Sequence, residues 1–338
     1  MLGPVVCDVA STQITPHEAQ RIAHPLVGMV ILFTRNYEDP QQLTELCAAI
    51  HAVKPGVLIA VDHEGGRVQR FRKGFTEIPA MHDYGDLYAR DPERGLCAAS
   101  AAGYVLASEL RACGVDLTFA PVLDLDWGRS EIIGARSFSK DPRIVARLAA
   151  AVTHGFLTAG MANCGKHFPG HGWALADSHV ALPEDERSAE VLETIDAMPY
   201  AWLGINLVSI MTAHIVYPQL DSEPATFSPR ILQGLLREKL GFKGFVFSDD
   251  LSMQGARNAG TYLERAEKAL SAGCDGLICC NAPDEVAAII KELRFTATDA
   301  WRERAERFAP IRTAPRRDEL HNSAPFLHAD ELRPVSSR

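Results

Sequence analysis

Between Asn163 and His179 the chain sets Lys166, His167, His171, Asp177 and His179 within 17 residues, broken by Gly165, Pro169, Gly170 and Gly172. Imidazole, with a reference pKa of about 6.5, can donate and accept protons near neutral pH. A carboxylate two residues away can fix which ring nitrogen carries the proton, as Asp177 could for His179. Other chemistry is open to the same residues. Lys166 in an apolar pocket could form a Schiff base. Lys166, His167, His214 and Asp249 could act as metal ligands. A sugar-binding protein without turnover would also use such groups. The helical pattern ends near Ala162 and the next begins near Ser188, leaving roughly 20 residues where a βα connection needs about 2–6. Phe168, Trp173 and Leu175 are too apolar for a disordered linker, so the stretch reads as a functional loop.

The elements that must hold these residues follow from the apolar pattern. Short apolar runs over 5–9, 27–33, 57–61, 116–124, 207–213, 244–248 and 276–280 read as strands, with another ending at Lys166 and His167. Helical spacing lies between them, over 40–53, 92–113, 142–159, 188–203, 229–240, 263–272 and 283–293. Residues 69–88 read as irregular. Strands apolar on both faces indicate a parallel sheet covered by helices. Eight such units over about 290 residues predict an α/β fold, a (β/α)8 TIM-type barrel in a single domain, residues 1–308. Residues 309–338, rich in Arg, Asp, Pro and Ser, read as a loosely attached C-terminal tail.

In such a barrel, functional groups sit at the carboxyl ends of strands. Asp62 ends the third strand, with Arg67 and Arg70 after it. Asp124 and Asp126 end the fourth, and Arg136 lies in its loop. Lys166 and His167 end the fifth, His214 the sixth, and Asp249 and Asp250 the seventh. A single aspartate at a strand end is usually a cap or turn residue. Several polar strand ends converging are harder to explain that way, because a barrel core needs no charges at its mouth. Alternation groups Asp249 with Phe245 and Phe247, and Asp250 with Val246 and Ser248, without saying which set faces inward.

Composition narrows the classes. Across 338 residues, 47% hydrophobic content is that of a soluble globular protein with a substantial core. A net charge of −9 argues against nucleic-acid or anionic-membrane surfaces, which need a basic stripe. No apolar run approaches about 20 residues, and no basic segment precedes an apolar one at the start, so neither a membrane span nor a signal peptide is expected. The eight cysteines form no C-x-x-C pair and suit a reducing compartment, so a cytoplasmic location is expected. No Gly-x-Gly-x-x-Gly follows the first strand and no Gly-Lys-Ser/Thr loop occurs, which removes support for nucleotide binding. Strand one lacks the His-x-His of metal-dependent amidohydrolases. The expectation is a monomer with no cofactor and no metal.

Asp62-His-Glu-Gly-Gly-Arg-Val, Gly134-Ala-Arg-Ser-Phe, Gly165-Lys-His-Phe-Pro-Gly-His-Gly, Asp177-Ser-His and Ser248-Asp-Asp-Leu-Ser-Met together resemble the family 3 glycoside hydrolases. The chain is most similar in pattern to the short bacterial β-N-acetylglucosaminidases (β-hexosaminidases) of peptidoglycan recycling. The motifs keep the family's order from strand one to about residue 290. His63 stands where such enzymes often carry glutamine. The resemblance implies a retaining exo-glycosidase that takes β-linked GlcNAc from muropeptides. It assigns Asp249 as nucleophile, His179 as acid/base and Asp177 as the residue that orients His179. It implies sugar binding by Asp62, Arg70, Arg136, Lys166 and His167. Glu64, Arg67, His171 and His214 are then expected to support these groups rather than touch substrate.

Overall fold

The computed structural model describes residues 3–175, 182–310 and 312–333. Eight parallel strands form its centre: β1 Val5–Asp8, β2 Val27–Leu32, β3 Leu58–Val61, β4 Leu117–Thr118, β5 Cys164–Phe168, β6 Ser209–Thr212, β7 Phe245–Phe247 and β8 Leu277–Ile278. One sheet runs β8-β1-β2-β3-β4 and a second runs β5-β6-β7. Isolated parallel bridges, Leu117 to Ala162 and Val122 to Lys166, join β4 to β5. Another, Phe247 to Gly276, joins β7 to β8. The result is a curled parallel sheet whose neighbours follow chain order.

Alternation along the strands separates two cores. Leu58, Ala60, Cys164, Met211, Phe245, Phe247 and Ile278 face a cluster inside the curl. Ile59, Val61, Ile210 and Val246 face the surrounding helices instead. Helices start where proline occupies the first turn and an aspartate caps it. Asp39, Asp91 and Asp141 accept the N–H of Gln42, Arg94 and Arg143 at the heads of α1 (Pro40–Val53), α2 (Pro92–Ala112) and α3 (Pro142–Thr158). Each cap contributes about 1 kcal/mol, and the missing proline N–H costs nothing there. At the amino ends of the strands, Trp301 and Phe308 complete the inner cluster, with Phe308 edge-on to Phe245 at 5.2 Å.

Three expectations are corrected. Residues 69–88 are not wholly irregular, because Met81–Arg90 is a helix. Its Gly85 hid the pattern, since glycine weakens a helix, yet a Cβ there would lie 1.9 Å from the Phe138 carbonyl oxygen. The run over 188–203 is helical but widens to an i→i+5 turn across Leu192–Asp196. The segment after 309 is not loosely attached over its described part. Helices Arg317–Leu320 and Ala324–Leu332 bury Leu320, Phe326 and Ala329. Arg317 and His321 both reach the buried Glu109 of α2, at 3.5 and 2.9 Å.

Candidate active site

The inward faces of three strands run on into the site. Leu58 and Ala60 lead to Asp62, Ala162 and Cys164 lead to Lys166, and Phe245 and Phe247 lead to Asp249. This resolves which aspartate of the Asp249–Asp250 pair continues the inner file. Asp62, Arg70, Arg136, Lys166, His167 and Asp249 all line one cavity of about 520 Å³ at the carboxyl ends of the strands. Lys166 and His167 are adjacent yet share that cavity. The pairing of β5 with β6 slips between Lys166 and Phe168, a bulge that re-aims a side chain, and the Lys166–His167 peptide is cis.

A charge network sets the cavity wall. Lys166 Nζ donates to Asp62 Oδ1 at 2.7 Å and stands 2.6 Å from Glu64 Oε1. Arg136 donates to both oxygens of Glu64 at 2.8 Å, and Arg70 lies 3.8 Å from Asp62. Burial works to raise the Glu64 carboxyl, but the Arg136 and Lys166 charges outweigh it and hold the group far below the usual carboxylate range. Burial likewise works against the Lys166 ammonium, and Asp62 and Glu64 overcome it, so its pKa is raised. The polar wall is therefore charged and pre-organised before any ligand arrives.

The neighbouring carboxylates differ. Asp250 accepts the Ser252 N–H at 2.9 Å, the Ser252 hydroxyl at 2.8 Å and the Cys280 N–H at 3.1 Å. Burial still pushes its pKa up to about 6. Asp249 accepts the Asp250 N–H on Oδ1 at 2.8 Å, and its own N–H donates to the Thr212 hydroxyl at 3.3 Å. His214 does not line the cavity. It is held between Thr226 Oγ1 (2.9 Å) and the Asp250 carbonyl (3.0 Å), and burial keeps its pKa low.

Asp177 and His179 lie outside the described residues. On either side of them the chain is anchored through aromatic and charged groups. Trp173 meets Trp127 edge-on at 5.8 Å, and Arg187 lies over both rings at 4.8 and 4.9 Å. Arg187 also pairs with the buried carboxylates of Asp185 and Asp196, at 2.6 and 2.9 Å.

Glu64, Arg67 and His171 also line the cavity, which sequence reasoning placed behind it. Glu64 was legible in principle, because it continues the alternation of Leu58, Ala60 and Asp62. No such period marks His171. Among the described residues, no three His, Cys, Asp or Glu side chains gather as a metal-binding group.

Residues 5–309 match the glycosyl hydrolase family 3 N terminal domain. The chain belongs to glycosyl hydrolase family 3. A β-hexosaminidase of Bordetella avium is 52% identical over 333 residues, covering 98% of this chain and 95% of its own. One from Methylobacillus flagellatus is 46% identical over 330 residues, 97% of this chain and 95% of its own. The crystal structure of NagZ from Neisseria gonorrhoeae in complex with N-trifluoroacetyl-D-glucosamine superposes with a TM-score of 0.92 at 43% identity, covering 98% of this chain and 97% of that one.

Proposed function

We propose that this glycoside hydrolase is a β-N-acetylhexosaminidase that removes terminal β-linked GlcNAc from muropeptides in peptidoglycan recycling, acting as a monomer in the cytoplasm. Its curled sheet is a (β/α)8 barrel over residues 1–308, the architecture that places such sites at the carboxyl ends of strands. The observation that carries the reading is the inward file ending in Asp249, which shares one cavity with the charged groups of Asp62, Glu64, Arg70, Arg136 and Lys166. Cleaving a glycosidic bond with retention needs a carboxylate to attack the anomeric carbon and a second group to protonate the departing oxygen. Asp249 serves as the nucleophile. Asp250 is less suited, since it does not continue the inward file of Phe245 and Phe247.

Asp62, Arg70, Arg136, Lys166 and His167 hold the ring hydroxyls, for which carboxylate, guanidinium and ammonium groups offer strong charge-assisted hydrogen bonds. His179, oriented by Asp177, acts as acid and then as base. An imidazole suits both steps near neutral pH. The deciding experiment uses a 2-acetamido-5-fluoro glycosyl fluoride to accumulate the glycosyl-enzyme. Peptide mass spectrometry is expected to find the sugar on Asp249, and a label on another residue would overturn the assignment. For the acid role, His179→Ala should lose much less activity with aryl glycosides of good leaving ability than with natural ones.

A further inference from the structure

Asp124 has no role in the reading above, yet its buried carboxylate stands directly behind two residues of the cavity lining, His167 and His171. Its side chain has no exposed surface. Oδ1 accepts the backbone N–H of His167 at 3.1 Å and that of His171 at 2.7 Å. Oδ2 stands 2.7 Å from His167 Nδ1. Burial works to raise this carboxyl, but the charge and hydrogen bond of the His167 ring, with the His171 ring and backbone N–H behind them, prevail and hold it below the ordinary aspartate range.

An ionised carboxylate has no proton to give, so the hydrogen between Asp124 and His167 belongs to Nδ1. In a neutral ring the lone pair then sits on Nε2, the nitrogen away from the buried carboxylate, while the ring itself lines the cavity. Lys166, next in the chain and lining the same cavity, can only donate. A hydroxyl accepting from Lys166 must send its own proton elsewhere, and a neighbouring acceptor completes its bonding. We propose that Asp124 is a positioning residue that locks His167 as the Nδ1–H tautomer, so that Lys166 and His167 form a donor–acceptor pair selective for one substrate hydroxyl. The proposal rests on the glycosidase reading above. It adds a specificity rule: the site demands a group that both donates and accepts at that position, and a group that only accepts is rejected.

Asp124→Asn separates this role from a purely structural one. The amide oxygen can still take both backbone N–H groups. The amide NH2 then faces Nδ1, so the ring must shift its hydrogen to Nε2 and offer a second donor to the hydroxyl. The probes are 4-nitrophenyl 2-acetamido-2-deoxy-β-D-glucopyranoside and its 3-, 4- and 6-deoxyfluoro analogues, because fluorine cannot donate. Each fluorine's loss in kcat/KM is measured in the wild type and in the variant, so inductive effects cancel in the ratio.

The expected result is one position whose loss is about tenfold greater in the wild type than in the variant, the size of one hydrogen bond. The other two positions should show equal losses. A structural role alone would lower the melting temperature and shift all four substrates together, and equal losses at every position would overturn the proposal. Failure of the wild type to cleave the unfluorinated glycoside would instead remove the glycosidase reading. If Asp124→Asn does not fold, the imidazole 15N spectrum of the wild type decides, with His167 assigned from His167→Gln. A protonated Nδ1 with a bare Nε2 at neutral pH supports the tautomer, and any other protonation pattern overturns it.

Discussion

Two buried carboxylates stand at opposite ends of the curled sheet, each gripped by a pair of cations, and they serve different ends. Asp275, ahead of β8, accepts from Arg304 at 3.0 and 2.6 Å, from Arg237 at 2.9 Å and from the Val246 N–H at 3.0 Å. Arg237 spends its other donors on the carbonyls of Phe242 and Gly244. The Trp301 indole N–H caps the Asp275 carbonyl at 2.9 Å. Glu64, beyond β3, accepts from Arg136 twice and stands against Lys166. Each pair lines a cavity, Arg237 and Arg304 one at the amino ends and Arg136 and Lys166 the one that also holds Asp62 and Asp249. The same pairing ties elements together at the amino ends and, at the carboxyl ends, fixes two cations in the wall of the candidate active site. Both pairs of cations border open space; what differs is that the cavity at the carboxyl ends also gathers Asp62, His167 and Asp249 from the strand ends.

That contrast can be broken from either side. The largest effect is expected at the cavity, where Asp249→Ala should lower kcat by roughly a thousandfold or more while the melting temperature stays near that of the wild type. A loss below tenfold with an aryl glycoside would show that β7 does not supply the nucleophile. Glu64→Gln removes the anion that holds Arg136 and Lys166 in place. We expect kcat/KM to fall by about a hundredfold, with KM rising, because misplaced binding groups are costly even when present. At the other end, Asp275→Asn leaves Arg237 and Arg304 facing each other without a full counter-charge. Breaking a buried pair this way costs about 3 kcal/mol, read in chemical denaturation. Its KM should stay within about twofold of the wild type, and a large change in KM would erase the distinction between the two ends.

The division between ends was partly legible in the sequence. Strand ends marked out Asp62, Lys166 and Asp249, alternation grouped Asp249 with Phe245 and Phe247, and the apolar strands with helical spacing between them announced an alternating α/β chain. Choosing Asp249 over Asp250 needed one further fact, that Phe245 and Phe247 pack inside the curl. The hubs were not legible. Glu64 meets Arg136 across 72 residues and Asp124 meets His167 across 43, and no local pattern encodes such pairings. The C-terminal segment misled for a related reason. Its few apolar residues look too sparse for a core, yet Leu320, Phe326 and Ala329 need only cover one stretch of α2 and its buried Glu109. Gly85 concealed a helix because the contact that demands glycine comes from Phe138, 53 residues away.

The smallest effect is expected at Asp250, a carboxylate at the cavity end that burial disfavours. Asp275 has two guanidinium partners, whereas the carboxylate of Asp250 is held, among the described residues, by a hydroxyl and two backbone N–H groups, with the Asp249 charge beside it. Its pKa of about 6 lies above the ordinary aspartate range, so the folded chain binds this proton more firmly than the unfolded chain does. By linkage, the stability owed to the protonated form is fully present below the unfolded pKa of about 4 and is lost as pH rises through 6. Asp250→Asn cannot titrate. Its melting temperature should therefore exceed that of the wild type at pH 7.5, and the gap should narrow as pH falls from 6 to 4. Contributions from Glu64 and Asp124 cancel in that difference, since both proteins carry them. A gap that stays constant from pH 4 to 8 would mean Asp250 is as well compensated as Asp275, and the carboxyl end would then hold its anions no less comfortably than the amino end.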